Sequence, residues 1–189
     1  MYRTGHVGIN ILLYSPILFL TTTLDLLLFG LVGLFITAHL ASLPDIDLSY
    51  KILKHRGFTH TTTFGFLVGL IFGVVSIPIT IVAIHFSLIP VSHYYVTAII
   101  LGSFMLGFIT VINHIIGDVI TPSGVRPFKK PPLVPDTRFF TDKRYTLSLV
   151  YAKNQLANGG FLLLGTISIG VALYAGGTLS TEYAIAILL

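Results

Sequence analysis

Residues 61–84 read TTTFGFLVGLIFGVVSIPITIVAI, twenty-four consecutive residues without a charged side chain. A helix needs about 20 apolar residues to cross a hydrocarbon layer of about 30 Å. This run is therefore read as a transmembrane helix, with Pro78 expected to kink it or end it early. Four further runs have the same character: Val7–Leu24, Leu26–Pro44 (separated from the first by Asp25 alone), Tyr94–Gly117 and Gly159–Thr181. Each must be helical, because lipid offers no partner for backbone N–H and C=O groups. The expected fold is all-α, a polytopic membrane bundle of about five helices forming one integral domain over residues 1–189.

Composition agrees. Of the 189 residues 54% are hydrophobic and 10% charged, against about 25% charged in soluble domains. So few charges do not coat a soluble globule of this size. The first apolar run lacks a strongly basic leader and a small-residue cleavage site, so no cleavable signal peptide is expected. There is no cysteine, which excludes disulfides and thiolate metal sites and leaves histidine and carboxylate as strong ligands.

The charges sort by side. If the spans alternate, one face holds residues 1–6, 45–60 and 118–158. On it fall Arg3, Lys51, Lys54, Arg56, Arg126, Lys129, Lys130, Arg138, Lys143, Arg144 and Lys153, all eleven basic residues. The opposite face has Asp25 and Glu182 and no base. The positive-inside rule then puts the first face and the N-terminus in the cytoplasm of a multi-pass membrane protein. The long segment 118–158 opens with Pro122, Pro127, Pro131, Pro132 and Pro135, which predict an extended, rigid path. It continues with Arg138, Phe139, Phe140, Lys143, Arg144, Tyr145 and Tyr151. Bases interleaved with aromatics also suit RNA. Beside membrane spans they read as an interfacial segment that meets anionic lipid, so membrane lipids are expected partners and nucleic acid is not.

Four short motifs carry chemistry, and all fall on the basic face: His6; LPDID (43–47); HRGFTH (55–60); and HIIGD (114–118), followed by TPSG (121–124). Taken singly they are ordinary. A lone histidine at an interface is usually a polar residue at the water boundary, and paired aspartates often end a helix. Their convergence on one face is what points to a site. His114 and Asp118 lie four apart and share a helical face. His55 and His60, five apart, do not; the expected arrangement has His55 in the loop, Thr59 as N-cap and His60 on the first helical turn. Asp-x-Asp at 45 and 47 points two carboxylates into one cavity, or lets one orient the other's neighbour. His60, His114 and Asp118 are expected as ligands, with His6, Asp45 and His55 completing one or two sites. Imidazole with carboxylate suits zinc, manganese or iron. Asp47 is the candidate general base or orienting partner, and Arg56 and Arg126 are candidate anchors for an anionic phosphate. His39 either faces the site from within the second span or bonds a neighbouring helix. His85 and His93 fall on the outer face and are read as structural.

His6, LPDID, HRGFTH and HIIGD-x-x-TPSGV (114–125) resemble, in order and spacing, the YdjM family of inner-membrane metal-dependent hydrolases. The resemblance covers residues 5 to about 130 and implies a metal-dependent hydrolase in the cell's inner membrane. A more distant likeness is to zinc-dependent phospholipase C, whose His-x-x-x-Asp helix is followed by a proline. This chain departs from that group in having no histidine just after the proline motif and no N-terminal Trp, so one or two metals are expected and not three. The expected function is hydrolysis of a phosphoester or phospholipid-like substrate at the cytoplasmic membrane surface. The alternatives are a noncatalytic scaffold with a structural metal, and a metal transporter or sensor. Transport fits less well, because only His39 lies inside a span and transporter sites sit near the midplane.

Overall fold

The computed structural model describes residues 1–50, 55–89, 91–131 and 137–188, with side chains to residue 181. Lys51, Lys54, Pro132 and Pro135, used in the charge and proline readings, lie outside the described residues, as does the Glu182 side chain. The described residues form five helices long and apolar enough to cross a membrane. They are α1 (Arg3–Thr23), α2 (Leu27–His39), α3 (Thr62–His85), α4 (His93–Val119) and α5 (Gln155–Leu188). Among the described residues there is no strand, only an isolated antiparallel bridge between Val125 and Tyr145. The chain divides into two compact units, the first of residues 1–43, 116–124 and 146–189, the second of residues 44–115 and 125–145.

In the first unit, α1 packs against α2 and α5. A proline inside α1 is tolerable because its cost is met locally. Pro16 has no N–H to offer the Leu12 carbonyl, and the Ser15 hydroxyl donates to that carbonyl at 2.8 Å. Thr21 and Thr22 likewise return their hydroxyls to Leu18 O. The turn into α2 is a Schellman motif: Leu26 N–H reaches Thr21 O at 2.7 Å and Asp25 N–H reaches Thr22 O, with Asp25 at φ 57°. α5 closes on α1 through small residues, since a Cβ on Gly165 would stand 2.6 Å from the Gly8 carbonyl oxygen. It begins at Gln155, four residues before the expected Gly159. The reason is a side-chain cap on a polar stretch, Asn154 Oδ1 accepting Ala157 N–H at 3.1 Å.

The second candidate span, Leu27–Leu48, is only partly α-helical. After His39 the chain tightens into a 3-10 helix, Leu40–Leu48, that contains Pro44. In the second unit, α3 runs through Pro78 to His85, so the proline does not end it. Its N-cap is Thr61, whose hydroxyl accepts Phe64 N–H at 3.2 Å. This corrects the expected cap at Thr59 and takes His60 off the helix into a 3-10 turn, Phe58–His60. The loop after α4 is pinned to the foot of α3. Thr62 gives both its N–H (2.8 Å) and its hydroxyl (3.1 Å) to Pro127 O, and Val125 and Tyr145 exchange backbone hydrogen bonds at 3.1 and 2.8 Å.

Candidate metal centre

Three ligand-bearing side chains of the second unit meet from three elements: Asp45 from the 3-10 helix, His60 from the turn before α3, and His114 from α4. His60 Nε2 and His114 Nε2 are 3.2 Å apart, and Asp45 Oδ1 lies 3.4 Å from the first and 3.6 Å from the second. Ligands bound at 2.0–2.1 Å in a tetrahedron stand about 3.3–3.4 Å from one another. The triangle therefore has the edges of one face of a tetrahedral site. Both histidines are fully buried, and Asp45 keeps 18% of its side chain exposed, so the group reaches the surface on its carboxylate side.

The tautomer of His60 is set by its neighbours. Its Nδ1 faces two acceptors, Thr59 Oγ1 at 3.1 Å and Asp47 Oδ2 at 3.3 Å, which keeps the proton there and leaves the Nε2 lone pair toward Asp45 and His114. Asp47 is the hub of this arrangement. Its buried carboxylate accepts Arg56 N–H at 2.8 Å and the Thr59 hydroxyl at 3.0 Å on Oδ2, and faces His55 Nδ1 at 3.0 Å on Oδ1. To present that N–H, Arg56 adopts φ 57°, a left-handed conformation uncommon for a long side chain. Gly57 follows it and opens the 3-10 turn.

The first unit holds two further expected ligands, His6 and Asp118. His6 Nε2 is 3.5 Å from Asp118 Oδ1, both groups buried, and the Met1 amino group donates to the same oxygen at 3.1 Å. Room for the His6 ring comes from Gly117, where an added Cβ would lie 3.0 Å from His6 Nδ1. Of the expected ligands, Asp45, His60 and His114 thus meet within the second unit, and His6 meets Asp118, one turn on from His114 along α4, within the first. His55 is half exposed and contacts Asp47. The Arg126 guanidinium pairs with Asp142 of its own loop at 3.3 Å. His39 is exposed, donates Nδ1–H to Phe35 O at 2.9 Å on its own helix, and lies tilted against the Phe35 ring.

Sequence reasoning missed the roles of Thr59, Gly117 and Asn158. The last is buried and ties the chain start down, its Oδ1 accepting Tyr2 N–H at 3.1 Å. The local sequence does not mark these roles: Thr59 is oriented by Asp47, twelve residues before it, Gly117 acts through space left empty, and Asn158 acts on Tyr2, distant in the chain.

The sequence model of the YdjM inner membrane protein family matches residues 1–188 of the chain. The protein belongs to the YdjM inner membrane protein family. No curated protein and no solved structure matches it. Within this YdjM protein the buried His/Asp groups are suited to hold a metal ion, by ligand type and by spacing.

Proposed function

We propose that this YdjM protein is a membrane-embedded metal-dependent hydrolase acting on a phosphoester or phospholipid-like substrate at the cytoplasmic membrane surface. The observation that carries the reading is the Asp45–His60–His114 triangle: three protein ligands of nitrogen and oxygen type, at tetrahedral spacing, with one partly exposed. Catalytic zinc sites have three protein ligands and one open position, whereas structural sites close with four. A divalent cation held there supplies Lewis-acid polarisation of a phosphoryl oxygen and makes water a better nucleophile at neutral pH.

The chain's own residues do the rest. Asp47 and Thr59 hold His60 in the ligating tautomer. Arg56, in the turn between the two histidines of HRGFTH, is the anchor for the anionic group, and Arg126 is a second cation near the surface. A phospholipid-like substrate is favoured by what surrounds the carboxylates: Ile46, Leu48 and Tyr50 are exposed beside Asp45 and Asp47, so an acyl chain finds apolar surface next to the polar site. Exposed Phe139 and Tyr151 with Arg138, Lys143, Arg144 and Lys153 form the membrane-contacting loop. The eleven basic residues on one side support a cytoplasmic N-terminus.

The test is turnover by the metal-loaded protein in lipid bilayers with phosphomonoesters, phosphodiesters and phospholipids, using His114→Ala as the control. Release of a phosphorylated headgroup or phosphate by the wild type only is the expected result. A correctly inserted, metal-loaded wild type that turns over none of them would leave a structural metal in a membrane scaffold as the better account. Reporter fusions near residue 25 should read external and those near 50 and 140 cytoplasmic. A cytoplasmic reading near residue 90 would overturn the orientation.

A further inference from the structure

We propose that Asp45 is a bridging carboxylate, and that a second divalent cation binds among Asp45, Asp47 and His55 beside the one held by Asp45, His60 and His114. The inference rests on the metal-site reading above and extends it from one ion to a pair. Its first support is that two ligand groups share one residue: Asp45, Asp47 and His55 each offer a ligand atom within 4.8 Å of the others, as do Asp45, His60 and His114. A carboxylate has two oxygens and about four acceptor directions, enough to serve both groups.

The second support is how Asp47 divides its oxygens. Oδ2 is committed to the protein, taking Arg56 N–H and the Thr59 hydroxyl and standing 3.3 Å from His60 Nδ1. Oδ1 faces His55 Nδ1 at 3.0 Å. That separation serves a hydrogen bond, and it also equals the spacing of two adjacent ligands on one cation with bonds of about 2.0–2.2 Å at near a right angle. The Asp47 carboxylate is buried while His55 is 48% exposed, so the second group is fixed on one side and open on the other.

The two groups differ in ligand chemistry. The first has two imidazole nitrogens and one oxygen, all but Asp45 fully buried, and prefers a zinc-like ion while also accepting manganese. The second has two carboxylate oxygens and one nitrogen and accepts a harder ion such as manganese or magnesium. An ion behind fully buried ligands exchanges slowly, and one beside the half-exposed His55 exchanges readily.

The experiment strips the full-length protein in detergent with a chelator and titrates it with Mn²⁺, counting bound metal and recording the electron paramagnetic resonance signal. The wild type is expected to bind two equivalents, the second quenching the single-ion spectrum by exchange coupling through Asp45. His55→Ala and the milder His55→Gln are expected to bind one equivalent with an uncoupled spectrum. Asp45→Asn is expected to lose the coupling. One equivalent in the wild type, unchanged in both His55 variants, would overturn the second position and leave the hydrolase reading standing. Two equivalents without coupling would overturn the bridge. No bound metal in a folded wild type would overturn this inference together with the metal-site reading.

Discussion

Replacing Asp47 by Asn tests whether one carboxylate holds the metal centre in shape through His60. The side chain is buried and takes the Arg56 N–H at 2.8 Å and the Thr59 hydroxyl at 3.0 Å on one oxygen. An asparagine has one orientation that fits. Its carbonyl must stay at the Oδ2 position, because an amide nitrogen there would oppose the Arg56 N–H donor. The NH₂ then faces His55, which can offer an acceptor nitrogen by changing tautomer. Two hydrogen bonds thus survive without the charge. A charge-assisted bond contributes about 1.5–3 kcal/mol against about 0.5–1.5 kcal/mol for a neutral one, so two of them together lose roughly 2 kcal/mol. The same loss weakens the hold on His60 Nδ1, and outer partners of metal-binding histidines typically alter affinity about 10–100-fold. Asp47→Ala goes further by leaving a buried N–H and hydroxyl unpaired, at about 1–3 kcal/mol each. The assays are thermal melting followed by circular dichroism in detergent, and metal affinity by competition with a chromogenic chelator. Asp47→Asn binding metal within twofold of wild type would refute the chain of positioning from Asp47 through His60. Equal melting of the Asn and Ala variants would refute the claim that the carboxylate braces the turn.

Three other perturbations follow from the same geometry. His114→Ala should lower affinity at the Asp45–His60–His114 group by more than about 100-fold, and adding His60→Ala should cost little more, since ligands of one ion act as a unit; a strictly additive double mutant in the chelator competition would argue against a shared ion. Gly117→Ala places a methyl 3.0 Å from His6 Nδ1 and should destabilise the protein by about 1–3 kcal/mol, read by denaturant titration; an unchanged midpoint would mean that His6 is not held where the structure has it. Ser15→Ala should cost about 1 kcal/mol while Pro16 is present and nearly nothing in a Pro16→Ala background, where the restored N–H satisfies Leu12 O. Equal costs in the two backgrounds would show that the hydroxyl does not replace the missing N–H.

The sequence by itself determined the membrane class, the number of helices long and apolar enough to span, and the motifs from which the candidate ligands come. Lipid admits only helices of a set length without charge, and runs such as 61–84 meet that demand whatever they pack against. The helical boundaries were legible to within a few residues where apolar runs end. They were less so where polar caps extend a helix, as Asn154 extends α5, because those residues look like loop. The pairing of His114 with its helix neighbour was legible only as a shared face. Which partner each ligand meets was decided by tertiary structure: His114 by Asp45 and His60 from two other elements, Asp118 by His6. Spacing along one chain does not specify how a helix is rotated against another, and that rotation aims the side chains. The HRGFTH turn makes the same point. Its left-handed Arg56 and 3-10 turn at Phe58–His60 exist because Asp47, nine residues before Arg56, supplies the acceptor that holds them. A helical N-cap at Thr59 was the locally reasonable reading, and a buried carboxylate from another segment overrode it.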